Sequence, residues 1–366
     1  MNLLRTRIDL DAIAHNTRAL KAMAGPVALM AVVKADAYNH GVDRVAPVMA
    51  TNGADAFGVA TLGEALHLRS LGLTQPILCW IWSPEQDFRA AIDAGVDLAV
   101  ISTRHARALV DASAGTPVRV SVKVDTGLHR SGVDEADWEE VFTLLRDCPG
   151  IEVTGLFTHL ACADDPSDPE TDRQAESFSR AIGLARDLGL EVPVNHICNS
   201  PAALTRPDLY HGMIRPGVVL YGLEPVPGLD HGLRPAMSWV GDITVVKPIR
   251  AGEATSYGLT WRAEEDGFLA VVPAGYADGV PRMAQGRIRV GIGGRFYDQV
   301  GRVCMDQFVV SLGSNPHGVT PGDEAVIFGE GGMSASELAA SLGTINYEVI
   351  CRPTGRTARE YEGQGR

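Results

Sequence analysis

The sequence lacks the features that define several large classes of protein. No apolar run approaches the ~20 residues that a membrane-spanning helix requires, and the charged opening MNLLRTRIDLDAIAHN does not have the apolar stretch of a secretion signal. With 32 Lys and Arg against 45 Asp and Glu, the chain is also short of the basic surface that nucleic acid requires. We therefore expect a cytoplasmic, enzyme-like protein with no membrane or nucleic-acid partner.

Several motifs of fixed spacing are missing as well. The six cysteines are scattered without a CxxC pair, so reduced thiols are favoured over a disulfide framework or a zinc site. There is no HExxH motif of a zinc protease and no GxSxG elbow of a serine hydrolase. These absences predict a site without a metal ion and without a hydrolase nucleophile.

The first two thirds of the chain instead alternate short apolar runs with longer amphipathic stretches. Runs with little polar alternation are typical of strands buried on both faces of a parallel sheet. There are eight such runs, at residues 28–35, 56–60, 76–82, 97–102, 118–125, 152–160, 192–199 and 213–222. The pattern predicts an α/β fold with an N-terminal (β/α)8 barrel. An open doubly wound sheet is the alternative, although no Gly-rich dinucleotide loop follows the first run.

The sequence pattern changes after a Pro- and Gly-rich segment at residues 222–235. Shorter strand-like runs follow, separated by Gly pairs and by Asn, Asp and Pro clusters, as in an antiparallel β domain. We predict a barrel domain at residues 1–230 and a smaller, mainly antiparallel β domain at residues 231–366. The first few residues of the chain can belong to either domain.

In a barrel, catalytic residues lie where the strands end and on the loops that follow. Lys34 ends the first run behind Ala31, Val32 and Val33, where desolvation favours a neutral, nucleophilic amine; the alternative is an ordinary strand-end lysine that extends to solvent. Other polar residues follow the later runs: Lys123, Asp125, Arg130, His159, His196, Asn199, Ser200 and Arg215. For the two histidines, packing is the alternative to a functional role.

Barrels often bind phosphate on the loops after strands seven and eight. Ser200 follows the seventh run, and Arg215 leads a Pro-Gly turn in the eighth. The backbone N–H groups of that turn are available to an anion. We therefore predict a phosphate cradle formed by Ser200, Gly217 and Val218.

Nine segments in order match one known family. They are AVVKADAYNHG (31–41), KVDTG (123–127), THLACAD (158–164), CNS (198–200), RPGVVLYG (215–222), SYGLTW (256–261), GYADGVPR (275–282), GRVCMDQ (301–307) and INYEVIC (345–351). On these segments the chain resembles the bacterial alanine racemase family, a family of fold-type III pyridoxal phosphate (PLP) enzymes, over essentially its whole length. Asn39 departs from the pattern, which usually has glycine there.

The resemblance implies an activity, a cofactor and a partner. The activity would be the interconversion of L-alanine and D-alanine, which supplies D-alanine for peptidoglycan. Lys34 would bind PLP as a Schiff base and act as one of two catalytic bases. Tyr257 would be the other base and would come from the second subunit of a homodimer, so that the C-terminal domain completes the partner's active site.

The resemblance also implies roles for individual residues. Arg215 would face the pyridine nitrogen, with His159 beneath it, and Lys123 would be a possible carbamylation site that orients Arg130. The phosphate would be bound by Tyr38, Ser200, Gly217, Val218 and Tyr347. Substrate would be bound by Arg130, Met305 and Asp306. The entrance would be lined by Asp164, Tyr276, Arg282, Arg302 and Ile345, together with Tyr347.

Three other functions remain as alternatives at this stage. The first is a racemase of the same fold with a broader range that includes serine. The second is a decarboxylase of basic amino acids, but those enzymes place a carboxylate at the pyridine nitrogen, where this chain has Arg215. The third is a non-catalytic PLP carrier, but such carriers lack the C-terminal β domain that contains Tyr257.

Overall fold

The computed structural model describes residues 2–366, which divide into two compact units. The barrel unit comprises Ile13–Ala37, Val42–Arg234 and Arg366, and the β unit comprises the residues up to Ala12 together with Tyr38–Gly41 and Pro235–Gly365. Within residues 2–366, no helix is both long enough and apolar enough to cross a membrane.

A seven-stranded parallel sheet forms the barrel unit. In sheet order, its strands are Ile151–Phe157, Val118–Lys123, Asp97–Val100, Ile77–Ile81, Ala56–Thr61, Ala28–Val32 and Met213–Ile214. The helices of this part of the chain are Leu10–Ala24, Lys34–Asn39, Val42–Thr51, Leu62–Ser70, Arg89–Asp93, Thr103–Ala112, Trp138–Arg146, Glu170–Asp187 and Ser200–Thr205. Shorter 3-10 turns span Glu135–Asp137, Pro207–Leu209 and Val218–Tyr221. The order of strands and helices confirms the predicted α/β barrel class.

The seventh predicted run, residues 192–199, is not a regular strand. It makes a single parallel bridge, from His196 to Phe157. Pro193 has no N–H to donate, and the side chain of Asn195 takes the place of a ladder bond by accepting from the Leu156 N–H at 2.9 Å. Backbone hydrogen bonds nevertheless tie this segment to the strands on both of its sides. It therefore joins the two edges of the seven-stranded sheet without adding a strand.

Small residues make room for a tryptophan among the barrel strands. Trp80 packs against a core cluster whose members include Ala56 and Ala99. A Cβ atom on Gly58 would lie only 2.7 Å from the Trp80 ring. The bulk of Trp80 is thus offset by neighbours with little or no side chain, as close packing requires.

A nine-stranded sheet forms the β unit, and all but one of its strand pairs are antiparallel. In sheet order, the strands are Val245–Ile249, Gly267–Val272, Phe308–Gly313, Arg295–Val300, Arg289–Ile292, Glu324–Phe328, Met237–Asp242, Leu4–Asp9 and Ala358–Glu362. A two-stranded ribbon pairs Ala254–Thr255 with Trp261–Arg262. The remaining elements are the helices Ala335–Leu342 and Asn346–Cys351 and the 3-10 turns Tyr257–Leu259, Tyr276–Asp278 and Arg282–Ala284. The prediction of a mainly antiparallel second domain is confirmed.

Candidate active site

Lys34 begins a helical turn of unusual handedness at the end of the first barrel strand. The five residues that follow it, Ala35 to Asn39, all have positive φ values between 52° and 66°. None is glycine, and a left-handed conformation costs an ordinary L-residue about 1–2 kcal/mol. Strain of this kind persists only where surrounding contacts impose it, and it is concentrated at functional sites.

Backbone bonds fix the position of this turn on the barrel. The Val33 N–H donates to the carbonyl of Gly58 on the neighbouring strand at 3.0 Å, and the Ala37 N–H donates back to the Val33 carbonyl at 2.9 Å. The Asp36 carboxylate accepts from the Val42 N–H at 2.7 Å and so links the turn to the next helix. Lys34 therefore projects from a backbone that is held on both sides.

Four positively charged side chains lie near His159. Burial lowers the pKa of His159 well below its ordinary value, and the charges of Arg215, Arg130, Lys123 and Lys34 lower it further. The imidazole is therefore neutral at pH 7, and it stands within a group of cations. Concentrated positive charge in a cleft attracts anionic groups such as a phosphate or a carboxylate. The structure thus brings together five residues that the sequence assigned to one site.

Arg215 is buried, with only 6% of its surface exposed, and its hydrogen-bond acceptors are uncharged. It donates to the carbonyl of Thr158, to that of His196 at 3.1 Å and to that of Ile197 at 3.3 Å. Burial lowers the pKa of Arg215 to about 10, so the guanidinium still holds its proton at neutral pH. Within residues 2–366, carbonyl groups and the ring of His196 compensate this buried charge, and no carboxylate is bonded to it.

His196 contacts Arg215 directly, so it does more than pack, which was the alternative to a functional role. Its Nδ1 accepts from Nη1 of Arg215 at 3.0 Å, and its ring stacks on Phe157 at 5.2 Å with an angle of 9° between the planes. Burial, followed by the charge of Arg215, lowers the pKa of His196 well below its ordinary value. The neutral ring with an accepting Nδ1 orients the guanidinium. The signal available in the sequence was the position of His196 in the run beside the strand of Arg215.

Lys123 ends its strand in a buried position and donates to the Ser131 hydroxyl at 2.6 Å. Burial is the main reason that its pKa falls to about 8, and the charges of Arg130 and Arg215 act in the same direction. An appreciable fraction of the amine is therefore neutral near physiological pH. Ser131 was not identified from the sequence, because nothing in the local pattern distinguishes it from other loop serines.

Ser200, Gly217 and Val218 lie together in the barrel unit. The Ser200 hydroxyl accepts from the Gly217 N–H at 2.8 Å, and Val218 begins the 3-10 turn that follows. Ser200 and Val218 are both buried. A hydroxyl beside the first N–H groups of a helical turn suits a phosphate. These residues therefore fit the phosphate group of the cofactor that the resemblance implies.

Two further residues with a predicted phosphate role belong to the β unit. The rings of Tyr38 and Tyr347 lie 6.4 Å apart, centroid to centroid, at an angle of 47°. Tyr38 is buried, and this burial, with smaller contributions from Tyr347 and Cys351, raises its pKa above the ordinary value. Tyr38 therefore keeps its hydroxyl proton at neutral pH and is suited to donate it to an anion.

Tyr257 is 69% exposed within its own chain. It begins the turn Tyr257–Leu259, which is flanked by the positive φ of Ser256 (64°) and contains that of Gly258 (75°). The β unit has other large apolar side chains that are also exposed, among them Tyr276, Met305 and Ile345. Exposed apolar groups of this size suit a surface that another molecule covers.

The Met305–Asp306 segment is held by contacts within the β unit. The Ala277 N–H donates to the Met305 carbonyl at 3.0 Å, and a Cβ atom on Gly275 would lie 2.1 Å from that oxygen. Arg356 donates to Asp306 at 2.8 Å and to the buried carboxylate of Asp278 at 2.8 and 2.9 Å. Arg356 was not recognised from the sequence, because its partners are far away along the chain.

The predicted entrance residues divide between the two units. Asp164 belongs to the barrel unit, whereas Tyr276, Arg282, Arg302 and Ile345 belong to the β unit. Arg302 lies against Gly258, where an added Cβ would come within 2.8 Å of its Nη1. Their common role as an entrance stays a prediction.

Removing the amine of Lys123 is predicted to change the pH dependence of stability. In the folded chain the pKa of Lys123 is about 8, whereas an unfolded lysine has a pKa of ~10.4. Between these values only the unfolded chain binds the proton, so the free energy of unfolding rises with pH. The difference between wild type and Lys123→Met should therefore rise by about 2 kcal/mol from pH ~8 to pH ~10 in urea unfolding. A difference that stays flat would contradict the lowered pKa.

Two family models together match almost the whole chain. Residues 8–225 match a model described as alanine racemase, N-terminal domain, and residues 236–361 match one described as alanine racemase, C-terminal domain. The boundary between the two matches falls in the Pro- and Gly-rich segment.

Individual relatives agree with the family models. The chain is 76% identical over 367 residues to an alanine racemase of Corynebacterium efficiens, with 100% of both chains covered. The crystal structure of alanine racemase from Corynebacterium glutamicum has 64% identity and a TM-score of 0.92, and it covers 99% of this chain and 100% of its own. The alanine racemase of a D-cycloserine-producing Streptomyces lavendulae has 40% identity and a TM-score of 0.96, with 100% and 98% covered.

Proposed function

The chain belongs to the alanine racemase family, and on that premise we propose that it interconverts L-alanine and D-alanine with PLP as cofactor. The observation that most supports this is the buried Arg215, whose partners are all neutral. An enzyme that relied on a protonated pyridine nitrogen would place a carboxylate there. We further propose that the protein acts in the cytoplasm and supplies D-alanine for peptidoglycan.

The barrel unit offers the groups that would hold the cofactor. Lys34 provides an amine for a covalent bond to the aldehyde carbon, and Ser200, Gly217 and Val218 provide hydrogen-bonding groups for the phosphate. We assign the same phosphate-binding role to Tyr38 and Tyr347. When bound, PLP withdraws electrons from the amino acid and so makes its Cα–H bond acidic.

Two bases on opposite faces of the substrate account for inversion at Cα. One takes the proton from one face, while the other delivers a proton to the opposite face. We assign these roles to Nζ of Lys34 and Oη of the partner subunit's Tyr257. Lys34 lies close enough to His159 for its charge to act on that ring, which supports its assignment to the same site. The exposure of Tyr257 in its own chain is consistent with its use by a second subunit in a homodimer.

Arg215 restrains the chemistry by keeping its own proton. Its pKa of about 10 leaves the guanidinium charged at neutral pH, so Arg215 would be a donor toward a pyridine nitrogen and would not stabilise a proton on it. A cofactor held in this way would withdraw fewer electrons. Arg215 therefore favours rapid return of the proton to Cα over transamination. We assign His159, which lies in the same group of charges, a supporting role at the cofactor.

Arg130, Met305 and Asp306 are proposed to bind the substrate. Arg130 is exposed in the loop that follows the barrel strand ending at Lys123, and its charge suits a substrate carboxylate. The neutral fraction of Lys123 is available to carbon dioxide, and we propose carbamylation at this amine to orient Arg130. A carbamylated lysine does not titrate like an amine, so the rise with pH predicted for Lys123→Met is expected in protein prepared free of carbon dioxide, and it should be lost when bicarbonate is added. We propose Asp164, Tyr276, Arg282, Arg302 and Ile345 as the residues that line the entrance.

The activity itself is tested by following optical rotation. Purified protein with PLP is incubated separately with L-alanine, D-alanine and L-serine. We expect both alanine solutions to reach the same racemic end point, and alanine to react at least about tenfold faster than serine, because each group added to a substrate is worth about a factor of ten or more in a fitted pocket. Comparable rates with serine would indicate a racemase of broader range. No racemisation of any amino acid would contradict the proposal.

A shared active site predicts that two inactive variants restore each other. Lys34→Ala and Tyr257→Phe should each abolish racemisation, because each removes one base. A mixed dimer has one site with both bases intact and one site with neither. If subunits exchange at random, half of the dimers are mixed, and about a quarter of the wild-type activity returns. Native mass spectrometry would verify the exchange; mixed dimers without activity would show that one subunit does not supply Tyr257 to the other.

Reversing the charge at Arg215 is predicted to increase the rate of transamination relative to racemisation. Arg215→Glu would place a carboxylate where it can stabilise a protonated pyridine nitrogen, so loss of the amino group to the cofactor should rise relative to racemisation, by about tenfold or more. The measurement is pyruvate formed per racemisation event. Arg215→Lys disturbs the same packing but keeps a positive charge, and it should not raise this ratio. An equal ratio in the two variants would contradict the role given to Arg215.

A further inference from the structure

The helix Leu62–Ser70 begins with a capping box. The Thr61 hydroxyl accepts from the Glu64 N–H at 3.3 Å, and Oε2 of Glu64 accepts from the Thr61 N–H at 3.0 Å. The same oxygen accepts from the Ala60 N–H at 2.8 Å. These contacts satisfy backbone donors at the start of the helix, which is what a capping box ordinarily does.

The second oxygen of Glu64 makes a contact that a capping box does not require. Oε1 accepts from the N–H of Ala35 at 2.7 Å, across 29 residues of the chain. A carboxylate bonded to an N–H at this distance makes a strong, charge-assisted hydrogen bond. Ala35 follows Lys34 directly and is the first of the five residues with positive φ. Glu64 therefore holds the peptide that joins Lys34 to the strained turn.

The backbone around Lys34 is consequently held at two points. On the side of the strand, the Val33 N–H is bonded to the Gly58 carbonyl at 3.0 Å. On the side of the turn, the Ala35 N–H is bonded to Glu64. Both acceptors lie on the neighbouring strand or on the helix that follows it, so one βα unit holds the backbone on both sides of the reactive lysine.

The surroundings of Glu64 make this contact effective. Glu64 is half-buried. The buried Cys79 thiol donates to the Ala60 carbonyl at 3.4 Å, so the backbone at Ala60 is itself held from both sides. Burial raises the pKa of Cys79 to about 12, and the charge of Glu64 contributes to that rise. The carboxylate thus acts at a site where water screens its charge only in part.

We propose that Glu64 is a positioning residue for Lys34, acting through the Ala35 N–H to keep the amine in place for proton transfer. This inference rests on the proposed function, because it assigns Lys34 the role of a base. The left-handed turn is strained and would relax if it were free. The hydrogen bond to Glu64, which lies outside the turn, opposes this relaxation. Loss of that acceptor lets the lysine move away from its working position.

Glu64→Gln distinguishes the role of Oε1, which contacts Ala35, from that of Oε2, which belongs to the capping box. An amide has one acceptor oxygen and one donor nitrogen, so it cannot accept on both sides. Its oxygen is expected to face the two donors at Ala60 and Thr61, which leaves its NH2 group opposite the Ala35 N–H. The substitution should therefore keep the capping box and lose the bond to Ala35.

Two readouts follow, and the first does not depend on activity. In the protein without cofactor, hydrogen–deuterium exchange of peptides that span residues 33–37 should become about tenfold faster in Glu64→Gln, because local opening is easier. In the holoenzyme, kcat for alanine should fall about tenfold or more while KM changes less than about twofold, because a small misplacement of a reacting group is costly.

Two control variants remove capping without touching Lys34. Glu337 forms the same box with Ser334 in the β unit, where its Oε2 accepts from the Ser334 N–H at 2.7 Å. Thr61→Ala removes the hydroxyl half of the box beside Glu64 and leaves the bond to Ala35. Glu337→Gln and Thr61→Ala should lower the melting temperature, yet neither should change the exchange of residues 33–37 or the value of kcat.

The outcomes separate this inference from the proposed function. Unchanged exchange at residues 33–37 in Glu64→Gln, or a loss of kcat no larger than in Glu337→Gln, would overturn the role of Glu64. If Glu64→Gln does not fold, Glu64→Asp provides the same comparison, because its shorter side chain cannot span both groups of donors. A wild-type protein that fails to racemise alanine would overturn the proposed function, while the exchange experiment would still report on the contact.

Discussion

The buried positive charge of Arg215 is the constraint on which the barrel end of this protein depends. A guanidinium removed from water is costly unless its donors are satisfied. Here the acceptors are the carbonyls of Thr158, His196 and Ile197 and the ring of His196. Thr158 follows one edge strand of the sheet, and Arg215 follows the other. The same hydrogen bonds therefore join the two edges of the sheet and place a charged donor in the candidate site.

The electrostatics of the barrel unit follow from this arrangement. Neutral acceptors leave the charge of Arg215 uncancelled, and Lys34, Lys123 and Arg130 add to it around His159. Neutral hydrogen-bond partners, such as Ser131 for Lys123, stabilise this group of positive charges. The arrangement suits anionic groups such as a phosphate or a carboxylate.

Local patterns in the sequence were sufficient to predict the fold class and to select candidate residues near the strand ends. Apolar runs predicted the parallel sheet, although Pro193 and the side chain of Asn195 prevented the seventh run from becoming a strand. The left-handed turn after Lys34 could not be predicted, because no glycine marks it. Contacts between distant residues were missed for the same kind of reason: Glu64 reaches Ala35 over 29 residues, and Arg356 reaches Asp278 over 78. Periodicity records which face of an element is buried, not which partner its polar groups will find.

The position of the strand Leu4–Asp9 has a consequence for the order of assembly. In the β-unit sheet it lies between Met237–Asp242 and Ala358–Glu362. Both partners are synthesised only after residues 13–234, which contain nearly all of the barrel unit, so this strand waits unpaired through most of translation. Apart from Arg366, the barrel unit is built from residues 13–37 and 42–234, whereas the sheet of the β unit is completed only by Ala358–Glu362. The sheet of the β unit is therefore completed last, because both neighbours of its first strand come from later parts of the chain.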